Sequence, residues 1–95
     1  METLCRKGLA VLGCVALFAG CATAHKVGSA RAALGQAKTA GAETKAPADY
    51  YMAEAYLERA DHETREGDTK QARYFAEQSG KYSSQAIQKS GGGVK

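Results

Sequence analysis

The residue with the clearest chemistry in this sequence is Cys21, whose thiol stands at the end of a short apolar run. The run spans residues 8–18 and follows the basic pair Arg6-Lys7. The small pair Ala19-Gly20 comes directly before the cysteine, and such small side chains let a peptidase approach the backbone. A basic start, a short apolar centre and a small-residue end are typical of a cleaved secretory leader. The run is too short for a membrane span, which needs about 20 residues.

The segment Leu17-Phe18-Ala19-Gly20-Cys21 resembles the lipobox of bacterial lipoproteins. The resemblance implies that the Cys21 thiol receives diacylglycerol, that residues 1–20 are removed as a signal peptide, and that the freed amine takes a third acyl chain such as palmitate. Two or three chains form a stable membrane anchor, whereas one chain binds only marginally. Ala22, rather than aspartate, follows the cysteine, and the resemblance therefore implies an outer-membrane lipoprotein that faces the periplasm.

Two other processing sites are present. Cys14 ends an earlier candidate box, but it leaves too little of the apolar run in front of it. A different peptidase could cut after the Ala-x-Ala sequence Ala22-Thr23-Ala24. That cleavage would release a soluble periplasmic binding protein that begins at His25.

Composition limits what residues 21–95 can do. Removal of the leader takes away one acidic and two basic residues, so the formal net charge changes from +3 to +2. There is no basic block, which argues against a nucleic-acid partner. Cys5 and Cys14 leave with the leader and Cys21 carries lipid, so no disulfide is expected. A chain this short supports one small domain with a thin core.

The histidines and carboxylates form no catalytic pattern. Glu58 lies four residues before His62, but a metal site needs three or four ligands. Acidic and basic residues recur at a spacing of four, which is typical of ion pairs on a solvated helix face. The expected pairs are Asp61 with Arg65, Glu66 with Lys70, and Glu77 with Lys81. We therefore expect no enzyme activity, no cofactor and no metal site.

The rest of the chain favours helices. Alanine is abundant and β-branched residues are scarce after the leader, which disfavours a sheet. We expect a lipidated tether over residues 21–26, a helical domain over residues 27–90 and a flexible tail over residues 91–95. Apolar residues at spacings of three and four predict a first helix over residues 27–40, followed by a break at 41–46.

Two longer helices are predicted after the break. Pro47 suits the first turn of one helix, Gly67 ends it, and Asp68 caps the next helix, with Gln71 as its capping-box partner. Because the turn is so short, the two helices must pack antiparallel. The predicted fold is thus all-α: an Ala-rich antiparallel helical hairpin with a shorter preceding helix. The residues expected to face inward are Tyr50, Ala53, Leu57, Ala60, Thr64, Ala72, Phe75, Ala76, Ser79, Tyr82, Ser83, Ala86 and Ile87.

The helical region carries a set of small and aromatic residues at fixed spacings: Ala30, Ala33, Ala37, Gly41-Ala42, Ala46-Pro47, Tyr50-Tyr51, Ala53, Ala55-Tyr56-Leu57, Ala60, Gly67-Asp68, Ala72, Ala76 and Ala86. With these residues, the region from Ala30 to Ala86 resembles the family called domain of unknown function 4398, which comprises small bacterial lipoproteins. The resemblance implies a helical hairpin, an envelope location and no known catalytic activity.

The five tyrosines are the candidate binding residues of the hairpin. Tyr51 and Tyr56 fall outside the apolar stripe, so we expect them to form an exposed interaction surface for a glycan or a partner helix. Tyr50, Tyr74 and Tyr82 are expected in the core or at its rim. The alternative for the whole set is ordinary packing at the edge of an alanine-rich core.

The last residue, Lys95, is a second candidate site. A small helical lipoprotein that ends in lysine on a glycine tail is similar to Braun's lipoprotein, and this similarity implies attachment of the lysine amine to peptidoglycan. The expected function is a non-catalytic structural or interaction module that meets an envelope protein or peptidoglycan. The alternative is an outer-membrane-to-peptidoglycan tether through Lys95. A homo-oligomer is also open, because thin hairpins often need self-association.

Overall fold

The computed structural model describes residues 22–91, and within this range the regular structure is entirely helical, without a strand. Helix α1 covers residues 22–39, and it is followed by α2 (Ala42–Lys45), α3 (Pro47–Arg65) and α4 (Thr69–Lys89). The prediction of an all-α fold with a hairpin of two longer helices, α3 and α4, is confirmed. The predicted signal peptide, Cys21 and Lys95 lie outside the described residues.

The three long helices run up, down and up. Near the α3–α4 turn, Val27 of α1 shares a core cluster with Leu57 of α3 and Ala76 of α4. Near α2, Ala37 of α1 shares a second cluster with Tyr50 and Ala86. Residue numbers therefore rise together along α1 and α4 and fall along α3. Consequently, α1 lies parallel to α4 and antiparallel to α3.

The chain between residues 22 and 46 differs from the prediction in two places. Residues 22–26, expected to form a tether, continue α1 without interruption. Residues 41–46, expected to form a break, contain the four-residue helix α2. Ala42 and Ala46 are both buried against Tyr50, and this packing holds the short turn in helical form. Two alanines four residues apart are too weak a pattern to predict such a helix from sequence.

The α3–α4 turn follows the predicted local chemistry. Gly67 has a φ of 82°, which an L side chain disfavours, and its N–H donates to the Thr64 carbonyl at 3.2 Å. The Asp68 N–H donates to the Glu63 carbonyl at 2.9 Å, which completes a Schellman motif. The Asp68 carboxylate accepts the Gln71 backbone N–H at 3.0 Å and so caps α4.

The core is thin and consists mostly of alanine. Of the residues predicted to face inward, nine are buried: Tyr50, Ala53, Leu57, Ala60, Ala72, Ala76, Ser79, Ser83 and Ala86. Phe75, Tyr82 and Ile87 are half-buried, because they lie at the edge of the α3–α4 contact. Thr64 is exposed and its hydroxyl donates to the Ala60 carbonyl of its own helix at 2.8 Å. Tyr74, expected in the core or at its rim, is 51% exposed.

Two buried serines lie between α3 and α4. The Ser79 hydroxyl donates to the Ala53 carbonyl of α3 at 2.8 Å. The hydroxyl of Ser83, one turn later, is equally buried but has no partner among the described residues. Small side chains at these positions let the two helix backbones approach closely.

An ion pair joins the ends of α3 and α4 that lie near α2. Pro47 occupies the first turn of α3 as predicted, and Asp49 in the same turn is buried. The Lys89 ammonium in the last turn of α4 lies 2.6 Å from the Asp49 carboxylate. Asp49 also lies at the positive N-terminal end of the α3 dipole and Lys89 at the negative C-terminal end of the α4 dipole, so each charge is stabilised by its own helix. None of the described helices is both long enough and apolar enough to cross a membrane.

Candidate functional site

The two tyrosines predicted to form an interaction surface lie on different sides of α3. They are five positions apart, which separates them by about 140° around the helix. Tyr51 is 50% exposed and packs edge-on against Tyr50 at 5.2 Å between ring centroids. Its hydroxyl donates to the Glu43 carboxylate at 3.3 Å, so Tyr51 links α3 to α2.

Tyr56 instead lies in a row of aromatic rings along the α3–α4 contact. Its ring stacks on Phe75 at 6.0 Å and 27° and on Tyr82 at 5.6 Å and 12°. Tyr74 packs edge-on against Phe75 at 5.5 Å between ring centroids. We call these four residues the aromatic strip. The Arg59 guanidinium lies 5.1 Å from the Phe75 ring centroid, within cation–π range.

Tyr56, Phe75 and Tyr82 of the aromatic strip lie away from the residues that α1 pairs with, whereas Tyr74 lines a groove together with Lys26 of α1 and Glu77. On α3, the residue that α1 contacts by an ion pair is Asp61, five positions and about 140° from Tyr56. On α4, the ion-paired residue is Glu77, two positions and about 200° from Phe75. Since Phe75 and Tyr82 are seven residues apart, they share one side of α4.

Sequence reasoning identified Tyr56 but placed Phe75 and Tyr82 in the core. A pattern in α4 could have indicated the strip: glutamine and aromatic residues alternate at spacings of four and three. The series is Gln71, Phe75, Gln78, Tyr82 and Gln85. This series is half-polar, which is unusual for a stripe that only packs against a neighbouring helix. Arg59 was not singled out, because nothing in the sequence indicates which ring its guanidinium meets.

Within residues 22–91, the ion pairs join different helices rather than residues of one helix. The Arg31 guanidinium of α1 contacts both carboxylate oxygens of Asp61, at 2.7 and 2.9 Å. Lys26 of α1 pairs with Glu77 of α4. Asp61 and Glu77 therefore bind partners on α1, whereas the sequence predicted Arg65 and Lys81. Both carboxylates face α1, and the short-range spacing rule cannot anticipate a partner on another helix.

Three groups in the described residues have shifted pKa values. The hydrogen bond from Lys26, together with its positive charge, lowers the pKa of Glu77. Burial raises the pKa of Tyr50, and the charges of Glu43 and Glu54 raise it further. The Glu43 charge is the main cause that raises the pKa of Tyr51. None of these shifts creates a base or nucleophile active near neutral pH.

The grooves between the helices are open and shallow. One groove lies between α1 and α4, has a volume of about 470 Å³, and includes Ala33, Gly80 and His25 in its lining. A second, between α1 and α3, has a volume of about 350 Å³ and includes Leu34 and Glu54. Within residues 22–91, no three histidine, cysteine, aspartate or glutamate side chains lie close enough together to hold a metal ion.

A family model with the description "Domain of unknown function (DUF4398)" matches residues 26–91. The match covers all four helices except the first residues of α1. No curated protein and no solved structure matches the chain. The matched region includes the aromatic strip, the α3–α4 turn and both core clusters.

Proposed function

The chain belongs to the DUF4398 family, and from this premise we propose that it is a non-catalytic interaction module, held by lipid on Cys21 in the bacterial outer membrane and facing the periplasm. The observation that carries the proposal is the lipobox, residues 17–21, behind a basic pair and an apolar run. The family match begins at residue 26. The region that the family model matches therefore starts a few residues after the proposed anchor.

The fold supports a defined orientation for an anchored domain. Helix α1 is already formed at residue 22, immediately after Cys21, and its first turns lie beside the α3–α4 turn. Under the proposal, this end of the bundle faces the membrane. The 18 described residues of α1 rise about 27 Å, so with α1 upright on the membrane the end that carries α2 lies about that far from the lipid surface.

The arrangement of charged groups supports a binding role rather than catalysis. Asp61 and Glu77 lie in partly exposed ion pairs with α1. A general acid or base requires a drier setting that moves its pKa toward neutrality. The open grooves and the aromatic strip present surface for a partner instead.

Intact mass of the protein extracted from its native envelope tests the anchor. We expect a chain that begins at Cys21 and carries the added mass of diacylglycerol and one acyl chain. A Cys21→Ser variant should keep its leader and lose the lipid mass. Recovery of an unlipidated chain that begins at His25 would overturn the proposal and favour a soluble periplasmic binding protein.

A tether to peptidoglycan through Lys95 is the second candidate function. The observation that favours it is the direction of α4, which ends at Lys89 beside α2, at the end of the bundle away from residue 22. Gly91, the last described residue, therefore lies at the end of the bundle opposite the proposed anchor. After muramidase digestion, a muropeptide mass on Lys95 that is absent from Lys95→Arg would support the tether. A free C-terminus in the wild type would exclude it.

A further inference from the structure

Three cationic side chains from two helices line one groove at the α3–α4 turn end of the bundle. Lys26 comes from α1, and Lys70 and Arg73 come from the first two turns of α4. The groove has a volume of about 280 Å³, and its other lining residues are Tyr74 and Glu77. Three cations and one carboxylate give this lining a formal net charge of +2. An excess of positive charge in one groove favours an anionic ligand.

Carboxylates of the protein neutralise only part of this charge. Glu77 pairs with Lys26, whose hydrogen bond is the main cause that lowers the pKa of Glu77, and the charge of Arg73 is a smaller cause. Lys70 and Arg73 form no ion pair within residues 22–91, although their side chains are exposed. The spacing of four in the sequence had predicted a pair between Glu66 and Lys70. The groove therefore presents an ammonium and a guanidinium, and both groups bind phosphate oxygens well.

The height of the groove matches the headgroup layer of a membrane that holds the proposed anchor. Lys26 lies four positions after residue 22, a rise of about 6 Å along α1. The headgroup layer on each side of a bilayer is about 5–8 Å thick. Helix α4 runs parallel to α1, so Lys70 and Arg73 in its first two turns lie at a similar height. With α1 upright on the membrane, all three cations reach the level of the lipid phosphates.

Two observations favour a lipid phosphate over a free phosphate ion. Tyr74 is 51% exposed at the same end of the bundle, and tyrosine is enriched at headgroup level because its ring is apolar and its hydroxyl polar. The groove is also open, and exposed charges bind a free ion only weakly. A lipid on Cys21 would instead hold the groove beside a high local concentration of headgroups.

We propose that the groove of Lys26, Lys70, Arg73 and Tyr74 binds the phosphate of an anionic phospholipid headgroup, in the same leaflet as the lipid on Cys21. The inference rests on the proposed anchor and adds to it. An anchor at one residue leaves the domain free to tilt. A second attachment through the groove keeps the α3–α4 turn against the bilayer and the α2 end away from it.

Labelling of lysine amines in the full lipidated protein on vesicles tests the inference. An uncharged acetylating reagent is applied to vesicles of phosphatidylcholine alone and to vesicles that also contain phosphatidylglycerol, and mass spectrometry gives the rate at each lysine. Lys70 should react roughly three- to tenfold more slowly with phosphatidylglycerol present. Lys45, exposed in α2 at the far end, should react equally in both. Salt at about 1 M, where the screening length is about 3 Å, should remove the difference at Lys70.

Two arginine variants separate the groove from the net charge of the protein. Arg73→Gln should lose most of the protection of Lys70, because each basic residue strengthens attraction to an anionic surface roughly fivefold. Arg73→Lys should keep most of it. Arg65→Gln is the matched control, since it removes the same charge from an exposed residue at the same end of the bundle, outside the lining of the groove. An equal loss in Arg73→Gln and Arg65→Gln would overturn the inference, as would equal labelling of Lys70 in both kinds of vesicle.

A final arm distinguishes the source of the phosphate and the role of the anchor. In neutral detergent, inorganic phosphate in the millimolar range should leave the labelling of Lys70 unchanged. Saturable protection there would indicate a site for the free ion and overturn the lipid headgroup as occupant. The mass of the same sample reports the lipid on Cys21. A chain without lipid would overturn the anchor and this inference together, whereas a lipidated chain with unprotected Lys70 would overturn this inference alone.

Discussion

The two ends of the helical bundle are held by different kinds of contact. At the α3–α4 turn, the bonds that define the chain path join residues at most five positions apart, around Gly67 and Asp68. At the α2 end, Ala42 and Ala46 are buried in a cluster with Ala37 of α1, Tyr50 of α3 and Ala86 of α4. The first end is a product of local backbone chemistry, whereas the second exists only when three helices are packed.

The two core clusters also differ, in the kinds of side chain that they bury. The cluster near the turn contains the largest buried aliphatic side chain, Leu57, packed with Val27, Ala30, Ala60 and Ala76. The cluster near α2 consists of alanines around the single ring of Tyr50. The turn-end cluster therefore holds both buried branched aliphatic side chains of the described residues, Val27 and Leu57, and truncation of the larger one should have the largest effect on stability.

Leu57→Ala is expected to cause the largest loss. Leu57 is only 6% exposed, and its truncation should cost about 2–5 kcal/mol of unfolding free energy. For so small a domain this is a large share of total stability. Urea denaturation followed by circular dichroism measures the change, with Met52→Ala, an exposed residue of the same helix, as the control. An unchanged midpoint for Leu57→Ala would mean that the turn-end cluster does not stabilise the bundle.

Gly67→Ala tests the local character of the turn. At a φ of 82°, an added Cβ should cost about 1–2 kcal/mol, although no atom lies within 4 Å of its position. Gly67→Asn should cost less, because asparagine tolerates this backbone conformation better. The same denaturation assay separates the two variants. If neither substitution lowers the free energy of unfolding, the turn is held by contacts distant in sequence. The two ends of the bundle would then not differ in the way described above.

Ser79→Ala and Ser83→Ala should differ although they lie one turn apart. Removal of the Ser79 hydroxyl breaks its bond to the Ala53 carbonyl and should cost about 1 kcal/mol. Ser83→Ala removes a buried hydroxyl without a protein partner in residues 22–91, so stability should stay the same or rise by up to about 1 kcal/mol. A loss in Ser83→Ala as large as in Ser79→Ala would contradict this assignment.

Alkaline titration provides the smallest and most local test of the α2 end. Burial raises the pKa of Tyr50 above its ordinary value of 10.0, and the carboxylates of Glu43 and Glu54 add to this. Above pH 10 the unfolded chain therefore loses this proton first, and the unfolding free energy should fall as pH rises. Tyr50→Phe should flatten that fall, and Glu43→Gln should reduce it partly. An identical slope in Tyr50→Phe would exclude Tyr50 as its source.

Part of the candidate site was predictable from the sequence. Tyr56 was identified because it falls outside the apolar stripe of α3. Its partners Phe75 and Tyr82 were assigned to the core, because a helical wheel shows which side a residue takes but not where the neighbouring helix ends. Tyr51 was predicted to be exposed by the same helical-wheel argument. In the structure it links α3 to α2 instead, because its hydroxyl donates a hydrogen bond to Glu43.

The sequence by itself determined the features that depend on neighbours along the chain. These are the bounds of α3 and α4, the proline start, the glycine end and the aspartate cap, since each is governed by backbone geometry within one or two turns. Only the tertiary structure decided the rest. The ion partners of Asp61 and Glu77, the helix at α2 and the row of rings around Tyr56 all require side chains that are distant in sequence and meet only after the helices pack.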